Sequence, residues 1–248
     1  MKIPLELRVL VANRPDVFAQ QIERAKMSFT YDKFPVTRYG LLCEPVLNGG
    51  KHSFTNNQDS AAIPLLHDYI FEHFDSYTVD KFTELFLSVR DKATHVLEIG
   101  IDNSNTTSST HIILSHKKDE TIYMGVDIRV CDHIDRNFSN AHTLKASSSA
   151  VEAVKLFLEK HGAKGKGIHF IFIDGWHSLN QVLCEWEYIV EYLAPDGVAV
   201  FHDTNYHLGP YILFEVLDPD IFVGKKYFEG ELNWGLGEVR HKTQEGLS

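Results

Sequence analysis

Cysteine is scarce in this 248-residue chain: Cys43, Cys131 and Cys184 are odd in number, widely spaced and form no CxxC pair. That leaves no basis for a disulfide framework and points to a reducing, cytoplasmic setting. Cys184, inside an amphipathic stretch, reads as a small buried apolar residue. No Lys/Arg block stands out against a formal net charge of -10, so a phosphate-tracking surface and a nucleic-acid partner are not expected. No apolar run is long enough to span a bilayer, and MKIPLELRVLVANRPD is too short and interrupted for a signal peptide. Repeats and low-complexity segments are absent as well. So is a dinucleotide-type glycine loop: after Gly100 the chain continues Ile101-Asp102-Asn103-Ser104-Asn105, which argues against a pyrophosphate cradle.

What the chain does have is 44% hydrophobic and 23% charged residues, enough for a sizeable core. Residues 1–78 differ in texture from the rest, helix-like around Val17 to Met27 and then punctuated by Asn48-Gly49-Gly50 and Asn56-Asn57. They form an appendage, expected to cap a substrate pocket or to make a homo-oligomer contact. Residues 79–248 alternate regularly. Val79 to Lys92 reads as a helix, His95 to Gly100 as a strand, and a helix follows from about Thr110. Ile122 to Ile128 and His142 to Ala146 are strands, and Ser149 to His161 is helical. Later come a helix near Pro210 to Leu217 and two strands, Phe222 to Phe228 and Leu236 to His241, around Gly230-Glu231. This alternation predicts a doubly wound α/β sheet closed by a β-hairpin.

The densest segment is Ile168 to Asn205. Ile168 to Ile173 is apolar on both faces apart from His169, as a strand covered on both sides should be. Ser178 and Gln181 form a capping box. Leu179, Val182, Leu183, Trp186, Ile189, Val190 and Leu193 recur at helical spacing, so Trp186 is a core residue. Pro195-Asp196-Gly197 is expected to end that helix, and Val198 to Phe201 to be the parallel neighbour of the first strand. Asp174-Gly175-Trp176-His177 and His202-Asp203 each stand where an apolar strand stops. Ligands bind at the carboxyl ends of such strands, so two Asp and two His are delivered to one crevice. Asp127 ends another strand, as an acid for ribose hydroxyls should. Plainer roles stay open: a strand-end Asp is usually a turn cap, and His177 could cap the following helix.

The order VLEIG, GVDIR and FIDGWHSLNQVLCEWEYIVEYLAPDGVAVFHDT resembles class I S-adenosylmethionine-dependent methyltransferases. It is most similar to the macrocin O-methyltransferase-like branch acting on small molecules and sugars. The resemblance covers about Val79 to Lys242, two thirds of the chain. It implies a seven-stranded, mostly parallel sheet ending in an antiparallel hairpin, with S-adenosylmethionine as cofactor and a small-molecule hydroxyl as acceptor. Glu98 and Gly100 would line the methionine end, Asp127 the ribose and Ala146-Ser147-Ser148 the adenine, with Asn103, Ser104 and Asp174 also binding the cofactor. Asp174, His202 and Asp203 would hold a divalent metal, Mg²⁺ or Mn²⁺, with His177 as general base beside Asp174. Two departures stand out: the first loop lacks the family's second glycine, and His202 replaces the more usual carboxylate. One imidazole with two carboxylates suits Mn²⁺, Fe²⁺ or Zn²⁺ at least as well as Mg²⁺. The same cluster also fits a metal-dependent hydrolase or oxygenase, and the irregular first loop fits a catalytically inactive binding module.

Overall fold

The computed structural model describes residues 76–101, 108–165, 167–177, 179–204, 208–228 and 235–242. The expectations for residues 1–75, for Asn103, Ser104 and Asn105, for the Ser178 cap and for the Gly230-Glu231 turn lie outside them. Chain order runs α1 (Ser76–Arg90), β1 (His95–Ile99), α2 (Ser109–His116), β2 (Ile122–Asp127), α3 (Asp132–Asn137) and β3 (Ala141–Lys145). It continues with α4 (Val151–Lys160), β4 (Ile168–Ile173), α5 (Leu179–Ile189), β5 (Leu193–His202), α6 (Leu208–Val216), β6 (Phe222–Tyr227) and β7 (Leu236–His241).

The seven strands order as β3-β2-β1-β4-β5-β7-β6. β1 to β5 are mutually parallel, while β7 runs antiparallel between β5 and β6. Side chains alternate across each strand and so feed two cores. Val96, Phe170, Phe172, Val198 and Val200 meet Phe82, Phe86 and Val89 of α1, with α2 and α3 alongside. Leu97, Ile99, Ile171, Ile173, Ala199 and Phe201 face α4, α5 and α6 on the other side. Phe82 packs edge-on against Phe170 and Phe172 at 5.5 and 4.7 Å between ring centroids. Trp186 is fully buried against Phe201 and Phe222, as its position on the apolar stripe predicts. Cys184 is buried too. Among the described residues no helix is long and apolar enough to cross a membrane.

Two local expectations are corrected. Pro195-Asp196-Gly197 does not end the helix, which stops at Ile189 and tightens into a 3₁₀ turn over Val190–Tyr192. The strand begins at Leu193, pairs with Ile168, and resumes only at Val198 opposite Phe170, with Pro195 and Asp196 bulging outward exposed. Proline has no N–H to give the ladder, so the chain loops out there and rejoins. The second correction is α3, six residues of which only Ile134 is buried, too short to show a helical stripe.

The order of strands reverses between β1 and β4, and their carboxyl ends meet at Gly100 and Asp174. The amide of Asp174 donates to the Ile99 carbonyl at 2.8 Å, and that of Gly100 to Val126 at 2.9 Å. Gly100 has φ +84, and a Cβ there would lie 2.0 Å from the Asp174 carbonyl oxygen. Gly165 shares the left-handed backbone, φ +83, with nothing within 4 Å. Gly165→Ala is therefore expected to cost about 1–2 kcal/mol from backbone strain alone. Gly100→Ala should cost roughly 1–3 kcal/mol more, because the backbones must part. Urea unfolding of the two variants measures the gap, and equal losses would show that the close approach is unimportant.

Candidate active site

Each strand end delivers its polar groups to the same edge of the sheet. Glu98 on β1 is completely buried, and its oxygens accept from Ser109 Oγ at 2.6 Å, Thr110 Oγ1 at 2.7 Å and the Tyr123 hydroxyl. Burial pushes its carboxyl up to about 7, against the pull of those three hydroxyls. Glu98 thus fastens the opening turn of α2 to β1.

Asp127 at the end of β2 accepts the Ile101 amide at 2.9 Å and the Arg129 amide at 2.7 Å. The Arg129 guanidinium adds Nε to Oδ1 at 3.0 Å and Nη2 to Oδ2 at 3.1 Å. Burial opposes the charged form, but the Arg129 side chain and the two amides outweigh it and hold the carboxyl below its usual value. After β3, the Ser147 hydroxyl bonds that of Ser149 at 2.7 Å, while Ser148 turns inward. Ser148 Oγ donates to Glu185 Oε1 and accepts from Gln181 Nε2 at 2.6 Å, and its carbonyl accepts from Tyr188 at 2.7 Å. Glu185 is fully buried, and burial raises it to about 7.

The ends of β4 and β5 bring Asp174, His177, His202 and Asp203 together. One ligand atom from each lies within 4.8 Å of all the others. His177 Nε2 stands 2.8 Å from Asp203 Oδ2 and 3.3 Å from Asp174 Oδ1. His202 Nδ1 stands 3.1 Å from Asp174 Oδ1 and 3.0 Å from Asp203 Oδ1. Asp203 has φ +59, a left-handed conformation rare for a residue with a side chain. That kink ends β5 and leaves the carboxylate between the two imidazoles. Strain of this kind collects at functional sites. The His177 carbonyl accepts the Gly209 amide at 3.1 Å, so α6 steadies the segment from the far side. Trp176 between them is half exposed, 50% of its surface, at the mouth of the cluster.

Charge explains why this cluster tolerates burial. Two carboxylates and two imidazoliums sum to zero, and burying a charge is strongly unfavourable unless it is paired. Burial works against the His177 cation, but Asp203 and Asp174 overcome it and raise the group to about 10. His202 is raised well above its ordinary value by the same two acids, again against burial. Asp174 and Asp203 are lowered, because the imidazoliums outweigh the desolvation that would raise them. Two oxygen and two nitrogen donors this close together also fit a divalent cation, which would take the place of the imidazolium protons.

The expected residues therefore divide. Asp174, His177, His202 and Asp203 converge; Glu98, Asp127, Ser147 and Ser148 stand at the same edge in separate networks. Sequence reading missed Arg129 and Glu185. The spacing of Gln181 and Glu185, one helical turn apart in an apolar stretch, was the signal available for the second. A pH dependence follows for the cation-free protein. Folding raises His177 from 6.5 to about 10, so its stabilisation is complete below about 6.5 and lost as pH rises through 10. In His177→Gln, denaturant midpoints measured across that window should fall less steeply than in the parent chain. An unchanged slope would count against the ion pairs.

No curated protein matches the sequence. Among solved structures, the MycE methyltransferase from the mycinamycin biosynthetic pathway, in complex with Mg, SAH and mycinamycin VI, aligns with a TM-score of 0.51 at 17% identity. A second MycE structure, with Mg and SAH, aligns with a TM-score of 0.53 at 17% identity. Each alignment covers 71% of this chain and 52% of that one, so this chain spans about half the length of MycE. CalS11, a TDP-rhamnose 3'-O-methyltransferase of calicheamicin biosynthesis, aligns over 86% of this chain and 97% of its own, at 12% identity and a TM-score of 0.49. At such identities the likeness is one of fold. The methyltransferase domain family, however, matches residues 77–204, just over half of the chain, and on a sheet of this strand order that match makes the protein a member of the S-adenosylmethionine-dependent methyltransferases.

Proposed function

We propose that the protein methylates a hydroxyl of a small molecule, a sugar or glycoside being the class favoured, with a divalent cation held by Asp174, His202 and Asp203. The observation that carries this is the convergence of those three residues and His177 at the carboxyl edge of a methyltransferase sheet. MycE, of similar fold, is described in complex with Mg, SAH and mycinamycin VI, which supports the same pairing of ligands here. The 1-imidazole, 2-carboxylate donor set suits Mn²⁺ or Fe²⁺ as well as Mg²⁺.

S-adenosylmethionine supplies an electrophilic methyl group on sulfonium, and the cation lowers the pKa of an acceptor hydroxyl. The chain's own residues do the remainder. Asp127 is assigned to the ribose hydroxyls, and the Ser147–Ser148 segment to the adenine side. Gly100 and Asp174 border the methionine end, where the missing Cβ of Gly100 keeps the backbones in contact. Asn103 and Ser104 complete that end in this reading. Glu98 acts from below, through the first turn of α2. His177 takes the acceptor's proton on Nε2. Its partners in the cation-free protein are Asp203 and Asp174. A cation held by those carboxylates would offset the charge that raises the imidazolium, and His177 would then serve as a base nearer its ordinary range. Residues 1–78 are assigned to covering the acceptor pocket or to contact with a second copy. In-line transfer is then a matter of positioning.

The first test is calorimetric titration of S-adenosylmethionine into cation-free protein, repeated with Mg²⁺ and with Mn²⁺. Saturable binding is expected; none under any condition would sink the proposal and leave a hydrolase, an oxygenase or a binding module. Once an acceptor is found, His177→Ala should lower turnover by about 100-fold or more. Its cofactor affinity should stay nearly unchanged, and loss of that affinity would count against the role of base.

A further inference from the structure

Arg129 is placed where a ligand of Asp127 would have to be. The Asp127 carboxylate receives four donors in all. Two are backbone amides, Ile101 and Arg129, set by the fold at 2.9 and 2.7 Å. The other two belong to one guanidinium, Nε on Oδ1 at 3.0 Å and Nη2 on Oδ2 at 3.1 Å. The same Nη2 also donates to the Ile101 carbonyl, so the side chain ties the exit of β1 to the end of β2. Asp127 itself is only 6% exposed, whereas the Arg129 side chain is 67% exposed. The amides are fixed by the backbone, whereas the guanidinium sits on an exposed side chain that can turn aside.

A vicinal diol binds a carboxylate by giving one O–H to each oxygen, the same pattern that a guanidinium makes with two parallel N–H groups. We propose that Arg129 is a built-in competitor for the sugar diol, a latch over Asp127 that a nucleoside with an intact cis-diol must displace. This rests on Asp127 being the ribose carboxylate of the proposed function. Release of the latch frees the Ile101 carbonyl at the exit of β1 as well. The guanidinium, rehydrated when it leaves, takes back only the modest stabilisation of an exposed ion pair.

The probe is S-adenosylhomocysteine, titrated into the full chain, Arg129→Ala and Arg129→Lys. Removing the latch should tighten binding by about two- to fivefold, the range that an exposed ion pair allows. Lysine offers one point charge instead of a fork and should fall between the parent and the alanine variant. The 2′-deoxy analogue, with one hydroxyl fewer to exchange, should gain less than the parent ligand. Added salt should tighten binding to the parent chain relative to Arg129→Ala, because it weakens the latch. Equal or weaker binding by Arg129→Ala, with the parent chain still binding, overturns the latch and leaves the cofactor assignment standing. No binding by the parent or either variant overturns the cofactor assignment and the latch with it. Thermal melting of each variant guards against a folding defect, which the exposure of this side chain makes small; if Arg129→Ala unfolds, Arg129→Lys alone decides, and failure to bind more tightly than the parent overturns the latch.

Discussion

Where β1 and β4 end, the backbone of Gly100 lies against the carbonyl of Asp174 with no room for a single added carbon. Everything at the working edge of the sheet is referred to that contact. It fixes the height at which the Asp174 carboxylate emerges. The Asp174 amide bonded to the Ile99 carbonyl and the Gly100 amide bonded to Val126 extend the parallel ladder to its last residue. Strand order reverses between β1 and β4, the place where ligands bind in a doubly wound sheet.

Among the described residues, four buried carboxylates and the half-buried Asp174 stand at this edge, and they are handled in different ways. Glu98 and Glu185 are wrapped in hydroxyl and amide donors, which relieve burial without opposing the charge, so both are raised to about 7. Asp127 is matched by an arginine and two amides and stays charged. Asp174 and Asp203 are matched by imidazoliums and stay charged as well. The first pair is structural in character, because donors on α2, β2, α5 and the Ser148 turn cannot leave without unpicking the core. The remaining three carboxylates are paired with cationic side chains, a guanidinium or imidazoliums, and in the proposed function they carry the binding chemistry while the glutamates support it.

The closing hairpin and α6 matter to the cluster as much as the strands that carry it. β7 pairs antiparallel with β5, with His202 opposite Leu236, so the imidazole is held from the side away from β4. Gly209 at the start of α6 holds the His177 carbonyl. The His202 imidazolium keeps the cation-free cluster neutral, whereas a carboxylate in its place would leave three acids against one imidazolium.

Hydrophobic periodicity made most of the architecture readable: β4, β7 and the buried Trp186 follow from local apolar pattern, because burial of one face is written into residue spacing. The strand-end positions of Asp127, Asp174, His177, His202 and Asp203 were legible for the same reason, since each stands where an apolar run stops. α3, with one buried residue, had no periodicity to read, and the Pro195 bulge required knowing that Leu193 pairs with Ile168. By itself, then, the sequence determined the elements, their faces and the inventory of acids and bases at one edge. Only the tertiary structure decided who partners whom: Glu98 with three hydroxyls, Asp127 with Arg129, and two aspartates with two histidines. Those pairings depend on strand order and on the left-handed turn at Asp203, and neither is encoded in the spacing of residues along the chain.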